Sequence, residues 1–150
     1  MPPRGVKKGT KRARQYEHIK GSARQRGAST RRSEEIAAHR LASVREAAKR
    51  SGAIVLLKGD DTLIADPSGR VAVSPGGTPA LATAGTGDVL TGVIAALLAQ
   101  GVDAFAAASA GVWLHAEAGR EAARRVGVVE GVIATDVIAA LPAARAGAGV

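Results

Sequence analysis

Ala84-Gly85-Thr86-Gly87-Asp88 stands directly ahead of apolar residues at Leu90, Val93, Ile94, Leu97 and Leu98, the spacing of an amphipathic helix. Glycines at a helix start let an anion approach backbone N–H groups that lack intrahelical acceptors, where the helix dipole is positive. With Asp88 beside it, such an anion hole has the parts phosphoryl transfer requires: donors that stabilise developing charge, and a carboxylate that takes a proton from a hydroxyl. The same residues also suit a tight turn with an acidic residue in the first helical turn, and the local pattern leaves both readings open. No Gly-Lys-Ser/Thr is present, so this is not a Walker A loop, nor is it a dinucleotide fingerprint.

A second place for phosphate is Lys58-Gly59-Asp60-Asp61-Thr62, after the apolar run Ala53-Ile54-Val55-Leu56-Leu57. Loops at strand ends are common ligand sites in α/β sheets. The Lys58 amine and Thr62 hydroxyl suit phosphate oxygens, while Asp60 and Asp61 make the loop acidic, so a solvated turn is the competing reading. His18, His39 and His115 lie far apart without carboxylate companions at ligand spacing. No metal site is expected on them, and His115 is expected to be a packed or partly exposed helix residue.

The elements that must position these residues follow from periodicity and punctuation. Ile36, Ala37, Leu41, Val44, Ala47 and Ala48 predict a helix from Ser33 to about Arg50, with Glu34 and Glu35 in its first turn and Ser51-Gly52 closing it. The run from Ala53 to Leu57 predicts a buried strand in a parallel sheet. Thr62–Ala65 and Val71–Val73 flank Asp66-Pro67-Ser68-Gly69, the composition of a type I turn, and predict a hairpin. Pro75-Gly76-Gly77-Thr78-Pro79 must be irregular. The helix after Asp88 closes at Gly101. Asp103 caps an Ala-rich helix through Trp113 and His115 to about Arg125, and Thr135-Asp136 caps a short one, Val137–Leu141, stopped by Pro142 with a frayed tail from Ala143.

The 150 residues include no cysteine, which excludes a disulfide scaffold, a thiol nucleophile and Cys-based zinc. No apolar stretch approaches the ~18 residues of a membrane span, and a cytoplasmic protein is expected. Residues 1–50 carry 15 Lys+Arg against 4 Asp+Glu, or +11, whereas residues 51–150 carry 6 against 9, or −3. The first 30 or so residues are so poor in apolar side chains that they are expected to contribute no core and to be partly disordered or helical.

Residues from about His39 to Pro142 resemble the C-terminal part of the ADP- or ATP-dependent NAD(P)H-hydrate dehydratases, members of the ribokinase-like superfamily. The resemblance is carried by Val55-Leu56-Leu57-Lys58-Gly59, Thr62 with Ile64-Ala65-Asp66, Gly76-Gly77-Thr78-Pro79, Ala82-Thr83-Ala84-Gly85-Thr86-Gly87-Asp88-Val89-Leu90, Leu114-His115 with Ala118-Gly119, and Ile133-Ala134-Thr135-Asp136. It implies a partial three-layer α/β fold with a mainly parallel sheet and flanking helices. It further implies a repair lyase that uses ADP or ATP with Mg2+ to phosphorylate the hydroxyl of hydrated NADH or NADPH, so that phosphate can be eliminated. In that reading Asp88 is the base at the substrate hydroxyl, Gly85, Thr86 and Gly87 form the anion hole, and Lys58, Gly59, Asp60, Asp61, Thr62 and Gly87 bind the nucleotide. Position 60 is commonly small in the family, so Asp60 needs an outward orientation or a magnesium ion to offset its repulsion of phosphate.

Family members carry, upstream of the lysine strand, a first half with a Pro-His segment that holds the hydrated nicotinamide, and nothing in this sequence corresponds to it. Impaired activity and self-association are therefore expected of the chain alone. Residues 1–38, including Met1-Pro2-Pro3-Arg4-Gly5, Lys11 to Lys20 and Arg26-Gly27-Ala28-Ser29, instead resemble small basic plasmid stabilisation proteins. The expected division is 1–38 and 39–150, joined near Ile36 to Leu41. Two alternatives stay open: non-specific nucleic-acid binding through residues 1–50, and a small-molecule kinase of the same superfamily.

Overall fold

The computed structural model describes residues 9–74 and 76–147. Expectations for Arg4, Lys7, Lys8 and Pro75 lie outside the described residues. The chain forms two compact units, divided between Val73 and Ser74.

The first unit is a helical hairpin, α1 (Lys11–Gln25) and α2 (Thr30–Ser51), with a three-stranded sheet of β1 (Val55–Leu57), β2 (Leu63–Ala65) and β3 (Val71–Val73). Thr10 caps α1 by accepting from the Ala13 amide, and Ser29 caps α2 by accepting from Arg32. The Ser29 cap starts α2 earlier than Ser33, so Glu34 and Glu35 fall beyond its first turn. Gly52, at φ +67°, ends it in the left-handed conformation that glycine tolerates. Tyr16 and Ile19 of α1 are buried with Ala37, Leu41 and Val44 of α2 and Leu63, Ala65 and Val71 of the sheet. This corrects the expectation that the N-terminal segment builds no core. Its few apolar residues, Ala13, Tyr16, Ile19 and Ala23, recur at helical spacing, so they form one stripe despite their scarcity.

The sheet order is β1-β2-β3 and both pairings are antiparallel, with Leu57 opposite Leu63 and Leu63 opposite Val73. The expected parallel strand is thus corrected, as is a mainly parallel sheet for the described residues. Only Lys58–Thr62 joins β1 to β2, and a parallel connection needs a dozen or more residues. The β2–β3 turn is as expected, closed by Gly69 N–H donating to the Asp66 carbonyl at 3.0 Å.

The second unit packs a short 3-10 turn (Pro79–Leu81) and α3 (Thr86–Ala99), α4 (Ala104–Val126) and α5 (Ala134–Ala146) around Val89, Ala118, Ala122, Val132, Val137 and Ala140. Asp103 caps α4 as expected, accepting from the Phe105 and Ala106 amides. The small residues of α4 let its neighbours approach closely: a Cβ on Gly119 would lie 2.7 Å from Leu81 Cδ2 and 2.9 Å from Thr78 Cγ2. Pro142 does not stop α5, which continues to Ala146, so no frayed segment begins at Ala143. An exposed proline forfeits one ladder bond, while Val137, Ala140 and Ala144 bury on both sides of it. Among the described residues no helix is long and apolar enough to cross a membrane.

Candidate functional site

In the second unit, Gly85 is the N-cap of α3 at φ +85°, and a Cβ there would lie 3.1 Å from the Ala134 Cβ at the start of α5. Both the backbone conformation and the close approach call for glycine. The Gly85 carbonyl accepts from the Asp88 and Val89 amides at 3.0 and 3.2 Å. The N–H groups of the first helical residues, Thr86 and Gly87, have no intrahelical acceptor.

Side chains meet this need at α1, α2 and α4, through Thr10, Ser29 and Asp103, while at α5 the N-cap Ile133 makes no such bond and Asp136 accepts only from the Ile133 amide at 2.9 Å. At α3 no side chain caps the end. The combination of an uncapped helix start, glycines on either side of Thr86 and an exposed Asp88 in the first turn fits a phosphate-sized anion with a carboxylate beside it.

Thr86 contributes differently from its neighbours. Its side chain is buried, and its hydroxyl lies 2.8 Å from the Leu81 carbonyl and 2.9 Å from the Thr83 carbonyl. The hydroxyl therefore braces the segment leading into α3, and only the backbone N–H of Thr86 is left for an anion. That segment is pinned in turn through Leu81 and Thr78 against Gly119, and through the Gly76 carbonyl, which accepts from Arg120 at 3.5 Å. Arg120 also pairs with Glu117 at 2.8 Å, and this bond holds the Glu117 carboxyl below its usual pKa.

In the first unit, the loop Lys58–Thr62 is fastened from both helices. Arg40 Nη2 of α2 donates to the carbonyls of Asp61 at 2.6 Å, Leu57 at 3.3 Å and Lys58 at 3.4 Å. The guanidinium lies so close over the loop that a Cβ on Gly59 would meet its Nη1 at 2.5 Å. Asp61 points inward: its carboxylate, 1% exposed, lies 3.0 Å from His18 Nε2 and accepts from Ser22 Oγ at 3.0 Å. Asp60 forms an ion pair with Arg26. Thr62 Oγ1 donates back to the Gly59 carbonyl at 3.3 Å. The Lys58 side chain is exposed and makes no ion pair or hydrogen bond among the described residues. Of the five loop residues, Lys58 and the backbone remain available to an anion, while Asp61 and Thr62 shape the loop.

His18 does have a carboxylate companion, which corrects the sequence expectation. Helix α1 brings Asp61 to it across 43 positions of sequence, a separation that spacing rules do not reach. His115 is buried within α4. Sequence reasoning also missed Arg26 and Arg40, for the same reason.

The family model described as NAD(P)H-hydrate dehydratase matches residues 19–143. The chain belongs to the NAD(P)H-hydrate dehydratase family. Among relatives of that family, the ADP-dependent (S)-NAD(P)H-hydrate dehydratase of Neisseria meningitidis serogroup B is 45% identical over 111 residues, 74% of this chain and 36% of the relative. The bifunctional NAD(P)H-hydrate repair enzyme Nnr of Moorella thermoacetica is 50% identical over 90 residues, 60% of this chain and 17% of the relative. The crystal structure of the ADP/ATP-dependent NAD(P)H-hydrate dehydratase of Bacillus subtilis, co-crystallised with ATP/Mg2+ and soaked with CoA, superposes with a TM-score of 0.66 at 28% identity. It is covered over 45% of its length by 83% of this chain. The chain thus spans less than half the length of each of these dehydratases. The dehydratase match begins within α1, well before His39.

Proposed function

We propose that this chain provides the phosphate-handling part of an ADP- or ATP-dependent NAD(P)H-hydrate dehydratase. The observation that carries the reading is the open N-terminus of α3 with exposed Asp88 in its first turn, within a chain of this family. The nucleotide, with Mg2+, supplies the phosphoryl group that turns the hydroxyl of hydrated NADH or NADPH into a leaving group. Asp88 accepts the hydroxyl proton as the oxygen attacks phosphorus. The backbone amides of Thr86 and Gly87, on the positive end of α3, stabilise the charge on the transferring phosphate. Elimination of phosphate then restores the dihydronicotinamide. Lys58 and the backbone of Gly59 to Thr62 bind nucleotide phosphates, with Arg26 and Arg40 holding the loop and Asp61 positioning it from below. In the complete enzyme these elements belong to a ribokinase-like layered fold.

A small-molecule kinase would use the same base and anion hole, and family membership favours the dehydratase. The family match from residue 19 runs through the expected boundary at 38/39, so only residues 1–18 are left to a basic segment of separate origin.

The test places residues 11–150, which keep α1, Arg26 and the whole of α2, behind the remainder of a relative such as the Neisseria enzyme, supplies hydrated NADH with ADP or ATP and Mg2+, and follows the return of NADH absorbance. Turnover is expected. Asp88→Asn in the same fusion keeps nucleotide binding and lowers the rate by ~100- to 10,000-fold. An Asp88→Asn rate above about a tenth of the parent would show that Asp88 is not the base.

A further inference from the structure

The cations of the α1–α2 hairpin are not neutralised evenly. Toward its closed end, Lys20 pairs with Glu17 at 2.6 Å, Arg31 and Arg32 reach Glu35 at 3.2 and 3.6 Å, and Arg26 pairs with Asp60. At the open end, the first turn of α1 lies beside the last turns of α2, where Arg45 Nη2 donates to Gln15 Oε1 at 3.4 Å. Lys11, Arg12, Arg14, Arg45, Lys49 and Arg50 gather there. None of the six makes an ion pair with a described residue, and Glu46 is the one carboxylate among them. Arg12 is near enough that its charge, after burial, lowers the pKa of the Arg45 guanidinium.

We propose that this open end of the helical hairpin binds the phosphate backbone of duplex nucleic acid without reading its sequence, an activity separate from nucleotide-dependent dehydration. Cations carried on two packed helices, whose axes lie ~8–10 Å apart, face several phosphates rather than one. The side-chain inventory narrows the partner further. Tyr16, the one Phe, Tyr or Trp of this unit, is 3% exposed and is not offered for stacking on unpaired bases. Among the described residues the large exposed apolar side chains, Leu98, Val126, Val128, Ile133 and Ile138, all belong to the other unit. The hairpin therefore has no apolar anchor of the kind that seats a helix in a lipid interface. Surface arginines and lysines with nothing apolar between them suit a polyphosphate, whose binding is driven by counterion release.

The experiment uses the full chain and a fluorescent duplex of mixed sequence, with affinity followed by anisotropy at a series of salt concentrations. About five neutralised phosphates give a slope of log K against log [salt] near −4.5. Arg12→Gln/Lys49→Gln/Arg50→Gln is expected to make that slope shallower by about 2.7 and to weaken binding at least about tenfold at low salt. Arg24→Gln/Arg31→Gln/Arg32→Gln removes the same net charge from the closed end and is expected to change the slope by less than about 1. Circular dichroism confirms that each variant keeps its helices. If the first variant loses them, Lys49→Gln/Arg50→Gln, both exposed in the last turn of α2, carries the same comparison with a slope change near 1.8. Equal effects of the two triple variants would overturn the proposal, because net charge and not the open end would then govern binding. Undetectable or salt-independent binding, or equal capture by anionic phospholipid vesicles, would overturn it as well. None of these readouts depends on dehydratase activity.

Discussion

The Thr86 brace at the start of α3 separates the effect of a buried hydroxyl from that of an exposed one. Thr86 Oγ1 lies 2.8 and 2.9 Å from two carbonyls, but a hydroxyl has one hydrogen, so the contact is worth one bond and not two. Thr86→Val keeps the branched shape and removes the donor, leaving carbonyl acceptors without a partner beneath a side chain that is 2% exposed. An unsatisfied buried polar group costs ~1–3 kcal/mol, against less than about 0.8 kcal/mol gained by burying one more methyl group.

Thr91 gives the matched control in the same helix: its Oγ1 donates to the Gly87 carbonyl at 3.0 Å, but in an exposed setting where water can replace it. Thr91→Val is expected to stay within ~0.5 kcal/mol of the parent. For a unit of this size each kcal/mol moves Tm by roughly 4–8 °C, so thermal melting by circular dichroism should show Thr86→Val lower by about 4 °C or more and Thr91→Val nearly unmoved. Equal melting temperatures for the two variants would refute the argument that burial of the Thr86 hydroxyl holds this segment.

Two further outcomes follow from the fold. The Asp66 carboxyl accepts from Ser68, first, and then from Arg70, and its pKa is lowered. A lowered folded-state pKa contributes stability that is present above the unfolded value near ~3.9 and is lost as pH falls through the folded value. Asp66→Asn should therefore remove part of the acid dependence of unfolding below about pH 4, measured by acid titration of the helical signal. Pro142→Ala restores an N–H at an exposed site inside α5 and should raise stability by ~1–3 kcal/mol, measured by urea unfolding. A loss of stability there would show that the proline is accommodated by something other than the packing of Val137, Ala140 and Ala144.

Local chemistry was legible in the sequence and distant pairing was not. The start of α3, the Asp103 cap, the type I turn at Asp66 to Gly69 and the closing glycine at position 52 each depend on a few adjacent residues whose types admit few conformations. The antiparallel pairing of β1 was knowable from the shortness of Lys58–Thr62, yet an uninterrupted apolar run suggested the parallel sheet implied by the family. The N-terminal segment misled through average composition: four apolar residues at the right spacing suffice for one buried stripe. Arg26 against Asp60, His18 and Ser22 against Asp61, and Arg40 over Gly59 were illegible because contacts across 17 to 43 positions leave no local pattern. The threonines of both loops look like phosphate ligands in sequence. Only their coordinates show Thr62 and Thr86 donating to backbone carbonyls.

The central claim is that the uncapped start of α3 holds phosphate. Its most direct test is a titration of the isotopically labelled full chain with ATP and Mg2+, followed by backbone amide shifts. The amides of Gly85, Thr86 and Gly87 should move along a saturable binding isotherm and do so equally in Asp88→Asn. Shifts confined to Lys11, Arg12, Lys49 and Arg50, with the α3 amides unmoved at saturation, would contradict the account.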